Sequence, residues 1–429
     1  MITPDLKSRA LGSMMGLAVG DSLGAPLEFK YRGDHDILTE MLPGHGLFDR
    51  EAGQWTDDTS LALCLAESLD EKGRSDPKNQ LEKYCSWWYD NHLSCYESTV
   101  PDIGSTTKSS LEDFRDQGTL VSKLSDPKFS GNGSIMRLAP IPVFFNYSLH
   151  DCVNYSAESS ETTHSSPESR SSCAFMGAFI WKALQGITKE ELFSEYIGLQ
   201  GILGLHDSLK NLPTDNLKNI SKGAYKTKDE DDILSSGYVV HTLESALWSF
   251  YTTDTFEEGM IRAVNLCGDA DTIGAVYGQI AGAYYGLEAI PQRWLDALWY
   301  PELIEEKTTK LLIDRRGDLE VVYDLIEDSK LCEAADRIFN YVDDNFSEGK
   351  FDVVENMIRE VDLERMEANT IVSLICITRA GQDHLPYWKE LFESARARLT
   401  VLHPDRVDAM LAGLEKPFNQ GPTPGIDFI

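Results

Sequence analysis

The stretch NLCGDADTIGAVYGQIAG, Asn265 to Gly282, decides how this chain is read. Asp269 and Asp271 flank a single alanine and Thr272 follows at once, so three hard oxygen donors fall within four positions. Behind them Ile273, Val276, Tyr277, Ile280 and Ala281 recur at three and four, with Gly274, Gly278 and Gly282 four apart. That periodicity predicts a buried helix whose small residues let neighbours come close. The oxygens therefore belong at the N-terminus of a rigid element.

A second stretch repeats the arrangement. Gln54-Trp55-Thr56-Asp57-Asp58-Thr59-Ser60 places hydroxyls and adjacent carboxylates ahead of the apolar run Leu61 to Ala66. Side-by-side carboxylates repel unless a proton or a cation intervenes. Taken singly, each cluster reads equally well as helix capping, since Thr and Asp are good starters and an anion there gains about 0.3–1 kcal/mol. Two such clusters point instead to metal. Neither contains His or Cys, so the oxygen-loving ions Mg²⁺, Mn²⁺ or Ca²⁺ suit them better than zinc or copper.

With 429 residues the chain is long enough for two or three domains and a large core. Its 70 acidic against 39 basic residues, a formal charge of -31, argue against a nucleic-acid-binding surface. A phosphate-bearing ligand must therefore be held locally. Eight cysteines lie scattered with no CxxC pair, several of them in apolar helical runs, which suits reduced, buried thiols in a cytoplasmic protein. No run of 18 apolar residues is present to span a membrane.

Along the chain, Leu11, Met14, Met15, Ala18 and Val19 form the stripe of a first core helix that ends near Gly20–Gly24. Glu28 follows in an apolar setting, where a structural salt bridge and a functional carboxylate are both open readings. Residues 30–53 read as a mobile loop. Asp102, in a short turn before a helix, is either a turn residue or an acid with work to do. Gly131, Asn132, Gly133 and Ser134 form a glycine loop that runs into Arg137, suited to backbone contact with phosphate though also a hairpin signal. His164 reads more readily as a core or capping histidine than a reactive one, and Tyr238, at the head of an apolar helix, as packing or as a base-stacking ring. Strand signals are scarce, so the first three hundred or so residues are expected to be all-α. From about 311 to 418 come further amphipathic helices without a chemical constellation, and 419–429 reads as a loose tail.

In order, GSMMGLAVGDSLGAPLEF, GQWTDDTSLAL, PDIGSTT, SGNGSIMRLAPI, THSSPES, SGYVVHTLESALW and NLCGDADTIGAVYGQIAGAYYG closely resemble the ADP-ribosylglycohydrolase family that includes dinitrogenase reductase activating glycohydrolase. The resemblance covers roughly residues 5 to 300. It implies an all-α core around two Mg²⁺ or Mn²⁺ ions and hydrolysis of the bond between ADP-ribose and an acceptor, on an ADP-ribosylated protein or a small ADP-ribosyl substrate. Thr56, Asp57, Asp58, Asp269, Asp271 and Thr272 would be the metal ligands, with Glu28 and Asp102 the acids for proton transfer or acceptor contact. Gly131 to Ser134 and Arg137 would cradle the diphosphate, with His164 and Tyr238 near ribose and adenine. Cys267 departs from the pattern, standing where many members have glycine. The alternative is a non-catalytic relative that binds ADP-ribose, or an immunity-type interaction protein whose C-terminal helices dock a partner.

Overall fold

The structure is a computed structural model that describes residues 3–45, 49–95, 103–194 and 214–312. Among the described residues it is all-α apart from one two-residue antiparallel ladder, β1 (Gly44–His45) with β2 (Asp49–Arg50). The helices are α1 (Pro4–Gly24), α2 (Asp57–Lys72), α3 (Pro77–Asp90), α4 (Ser105–Gln117), α5 (Pro140–Phe144), α6 (Leu149–Glu161) and α7 (Pro167–Leu184). After these come α8 (Lys189–Leu192), α9 (Asp215–Ser221), α10 (Val239–Tyr251), α11 (Phe256–Val264), α12 (Ala270–Tyr285), α13 (Gln292–Ala297) and α14 (Pro301–Leu311). The C-terminal helical region expected over 311–418 and the tail at 419–429 fall almost wholly outside the described residues.

The spine of the fold is the antiparallel pair α1 and α12. Thr3 caps α1 by accepting the Leu6 amide at 3.1 Å, and Pro4 occupies the first turn, where its missing N–H costs nothing. From Ala10 to Gly24 every residue of α1 is buried, and so is every residue of α12 from Ala270 to Ala283. Helices apolar on all sides belong at the centre of a domain. Their contact is made by backbone. Gly12 faces Gly282, Gly16 faces Gly278, Gly20 faces Gly274 and Gly24 faces Ala270, and a Cβ on Gly20 would stand 2.0 Å from the Gly274 carbonyl oxygen. Side chains at the contact normally set the distance between helices, and at the three facing glycine pairs there are none.

This seam has a functional consequence. Because it runs the length of both helices, it lays the C-terminal end of α1 on the first turn of α12. Asp21, in α1, thereby reaches the neighbourhood of Asp271, whose carboxyl it perturbs. The remaining helices enclose the spine: α10, α11 and α7 pack on α12, while α14 and α2 pack on α1.

The segment after Glu28 is held at many points where the sequence suggested a mobile loop. Phe29 N donates to Gly268 O at 2.7 Å and Gly268 N to Lys30 O at 3.2 Å. Asn265 exchanges two hydrogen bonds of 2.9 Å with the backbone of Leu38, and Arg32 donates to the carbonyls of Glu230 and Ile233. The chain from 29 to 38 is thus fastened to the approach of α12.

Candidate functional site

The two acidic stretches meet at neighbouring helix N-termini. Thr56 is the N-cap of α2, its hydroxyl accepting the Asp58 amide at 3.3 Å, so the capping work is done by Thr56 and not by the carboxylates beside it. Asp269 occupies the N-cap position of α12 yet makes no capping bond with its side chain. Asp271 Oδ1 accepts the first-turn amide of Thr272 at 2.9 Å, while capping accounts for neither Asp58 nor Asp269.

Around these ends the carboxylates converge. Oxygens of Glu28, Asp269 and Asp271 all lie within 4.8 Å of one another. Asp58 is 1 % exposed, and burial pushes its carboxyl well above the usual carboxylate range, with the charges of Asp21, Asp57 and Asp269 adding to the effect. Asp271 is raised for the same reasons: burial first, then Glu28, Asp269, Asp58 and Asp21. Each stretch thus feels the other's charge. The Oδ1 atom of Asp58 is buried without a hydrogen-bond partner. Leaving a buried polar atom unsatisfied costs about 1–3 kcal/mol, more if it is charged. A hard divalent cation would satisfy that oxygen and reverse the mutual repulsion. The donor set fits such an ion.

Asp21 belongs to this cluster and was missed from the sequence, where it reads as the polar stop of an apolar run. It is 0 % exposed and accepts hydrogen bonds from Thr56 N at 3.0 Å, Thr59 N at 3.1 Å and Thr59 Oγ1 at 2.6 Å. Its only advance signal is that it is the one charged residue from Ala10 to Gly24, set between Gly20 and Gly24. Arg50, also missed, is buried and close enough to Asp21 to draw its carboxyl down by charge, against the stronger upward push of burial.

The approach to α12 explains the unusual Cys267. Cys267 and Gly268 both have left-handed backbone, at φ 59° and 68°. Only glycine takes that conformation freely, and another residue there costs about 1–2 kcal/mol. Cys267 is buried, its Sγ 2.8 Å from His35 Nε2. The turn swings the chain so that Asp269 N donates to Ser235 O at 3.1 Å.

The glycine loop lies against Asp269. Asn132 Nδ2 donates to Asp269 Oδ2 at 2.8 Å and to Thr242 Oγ1 at 3.0 Å, joining the loop to the first turns of α12 and α10. Gly131 pairs with Tyr238 in an isolated bridge, and Asn132 N donates to Gly237 O at 3.1 Å. His164 is the floor: a Cβ on Gly133 would stand 2.7 Å from His164 Cε1. Burial, then the nearby Arg137 charge, pushes this imidazole down to about 3, so it is neutral. Ser134 is buried with its hydroxyl accepting from Ser160 Oγ at 2.8 Å.

Arg137 lies beneath the glycine loop. It is 0 % exposed, donating to Gly133 O and to Thr163 Oγ1 at 2.6 Å, with its Cζ 4.6 Å from the centre of the Tyr84 ring. Its guanidinium braces the loop from beneath. Tyr238 is half-buried, and its hydroxyl donates to the buried carboxylate of Glu168. Burial and then Glu168 push the phenol up to about 12. Thr272 is buried beside Asp271. Asp102 lies outside the described residues.

An all-α scaffold that gathers buried carboxylates at helix N-termini beside a glycine loop defines a helical hydrolase with an acidic centre. The chain belongs to the ADP-ribosylglycohydrolase family, whose model matches residues 2–326. It is 39 % identical over 303 residues to ADP-ribosylarginine hydrolase Tri1 of Serratia proteamaculans, covering 71 % of this chain and 78 % of that one. It is 31 % identical over 302 residues to the ADP-ribosyl-[dinitrogen reductase] glycohydrolase of Rhodospirillum rubrum, covering 70 % and 92 %. A solved structure described as an ADP-ribosylglycohydrolase-related protein complex superposes with a TM-score of 0.60 at 36 % identity, over 72 % of this chain and 99 % of that one. Among the described residues no helix is long and apolar enough to cross a membrane, and Cys64, Cys85, Cys95, Cys152, Cys173 and Cys267 form no disulfide.

Proposed function

We propose that this chain hydrolyses the glycosidic bond between ADP-ribose and the arginine side chain of a modified protein, reversing mono-ADP-ribosylation. The observation that carries the reading is the convergence of Asp58, Asp269, Asp271 and Glu28, with a buried carboxylate oxygen lacking a partner, beside a glycine loop that Asn132 ties to Asp269. The choice of arginine rests on its likeness to relatives named as ADP-ribosylarginine hydrolases.

Cleavage at the anomeric carbon passes through an oxocarbenium-like state, positive on the ribose and negative on the departing group. Thr56, Asp57, Asp58, Asp269, Asp271 and Thr272 would hold two Mg²⁺ or Mn²⁺ ions, which when bound supply Lewis-acid polarisation and a more acidic water. Glu28 is the half-buried acid beside Asp269 and Asp271 and moves the proton, either from water or to the departing nitrogen. Asp102 is the second candidate for that step, or the partner of the guanidinium in a two-pronged contact. Gly131 to Ser134 present their backbone to the diphosphate, with neutral His164 and Arg137 fixing the loop from below. Tyr238, tied to Glu168, offers its ring at the edge of this loop.

The test is incubation with peptides mono-ADP-ribosylated on arginine or on serine, with and without Mg²⁺, reading released ADP-ribose by mass spectrometry. Release from the arginine peptide that requires Mg²⁺ supports the reading. Release from serine alone would move the acceptor, and release from neither would remove the catalytic function.

A further inference from the structure

We propose that Asp21 is a positioning residue for the proposed metal centre: a strut from α1 that fixes the Thr56–Thr59 turn, and with it Asp57 and Asp58, in register with Asp269 and Asp271. The inference rests on the function proposed above and adds a residue outside its ligand set.

The two acidic stretches stand far apart in sequence and need a common frame. The glycine seam supplies half of it, since α1 cannot slide on α12 without driving backbone into backbone: a Cβ on Gly24 would already stand 2.4 Å from Ala270 O. Asp21 lies one turn from that end and turns outward to the other stretch. Both of its oxygens lie 3.0 Å from Thr56 N, and Oδ2 also accepts from Thr59 N at 3.1 Å and Thr59 Oγ1 at 2.6 Å. Ser22 Oγ adds a bond to Gly53 O at 3.3 Å just upstream of the same turn.

The contacts are all donors, and this defines what the site requires. Two of them are backbone amides in the first turn of α2, which have no partner within the helix. A buried side chain that accepts on both oxygens cannot be replaced by an amide of the same shape. Asparagine would turn an NH₂ against either the Thr56 or the Thr59 amide, leaving donor facing donor. The consequence falls on the direction in which Asp57 and Asp58 point, because they lie between the two residues that Asp21 holds. Asp21 therefore links the position of one stretch to that of the other through α1.

The test uses the full-length chain and Mn²⁺ as the probe. Asp21→Asn should weaken Mn²⁺ binding at least tenfold by calorimetry. It should also speed hydrogen exchange at the amides of residues 56–59 at least tenfold in metal-free protein, with the amides of α12 unchanged. Turnover lost at low Mn²⁺ should return at high Mn²⁺, with KM for the ADP-ribosyl substrate unaltered. Thr59→Val, which removes one bond and keeps the fold, should weaken Mn²⁺ in the same direction by about threefold, and should add little once Asp21 is already Asn. A lowered Tm with Mn²⁺ affinity and exchange at 56–59 within twofold of the unmodified chain would overturn the proposal, since Asp21 would then only support the fold. If the unmodified chain takes up no Mn²⁺, the metal reading fails separately, and unchanged exchange at 56–59 in Asp21→Asn would still refute the strut.

Discussion

Gly20 of α1 and Gly274 of α12 meet backbone to backbone, so that neither position has room for a methyl group: a Cβ on Gly274 would stand 2.4 Å from Gly20 O. Gly20→Ala should therefore destabilise the chain by the upper end of the roughly 1–3 kcal/mol of overpacking, or beyond, because rigid backbone cannot yield. Gly33→Ala is the comparison: its φ is 86° but nothing lies within 4 Å, so only the left-handed penalty of about 1–2 kcal/mol applies. Chemical denaturation of both variants should show the larger loss at Gly20. Equal losses would mean that the seam relaxes.

Cys267 sits where the chain needs a left-handed turn ahead of Asp269. Cys267→Gly should be tolerated, while Cys267→Val, branched at Cβ, should cost at least about 1–2 kcal/mol more. Thermal unfolding of the pair checks this. A valine variant as stable as the glycine variant would contradict the strain.

Arg137 offers a prediction about the glycine loop. Arg137→Met keeps most of the volume but abandons Gly133 O and Thr163 Oγ1, at a cost of at least about 2 kcal/mol. ADP-ribose affinity should fall because the loop loosens, and Mn²⁺ affinity should be little changed. Calorimetry with each ligand separates the two effects. Undiminished stability and ADP-ribose affinity would leave the buried guanidinium without this role.

Away from the site, Glu67 of α2 is a charge hub, 2.6 Å from Lys307 of α14 and 2.6 Å from His92, with Lys83 of α3 at 3.2 Å. Burial alone would raise its carboxyl, but hydrogen bonds from Lys307, His92 and Lys83 outweigh it and bring the value down to about 2 from an ordinary 4.5. A lowered carboxylate contributes stability that is present above the unfolded value and lost as pH falls through the folded one. Tm should thus fall more steeply between about pH 4.5 and pH 2 in the unmodified chain than in Glu67→Gln. Parallel curves would show that the hub carries no net stability.

Much of this was written locally in the chain. The starts of α2 and α12 were readable because capping residues and helical spacing are short-range signals, and both fell where Thr56 and Asp269 placed them. The glycines of each helix are visible too, but their pairing is a long-range fact that one helix cannot reveal. Asp21 escaped notice for that reason: its partners Thr56 and Thr59 belong to another helix. Arg137 reads in the sequence as added charge at the end of a phosphate-suited glycine loop, and only the fold shows that Tyr84 and Thr163 stand beside its guanidinium. The segment after Glu28 looked loose because its anchors, Asn265 and Gly268, lie at the other end of the domain's sequence.

If the acids of the two distant stretches act together on divalent ions, titrating Mn²⁺ into the unmodified chain, Asp58→Asn and Asp271→Asn will show it, with circular dichroism to confirm helix content and turnover of an ADP-ribosylarginine peptide alongside. The unmodified chain should bind two ions, each variant should lose at least one, and turnover should fall at least a hundredfold with the helices intact. Unchanged stoichiometry and turnover in both variants would contradict that joint action.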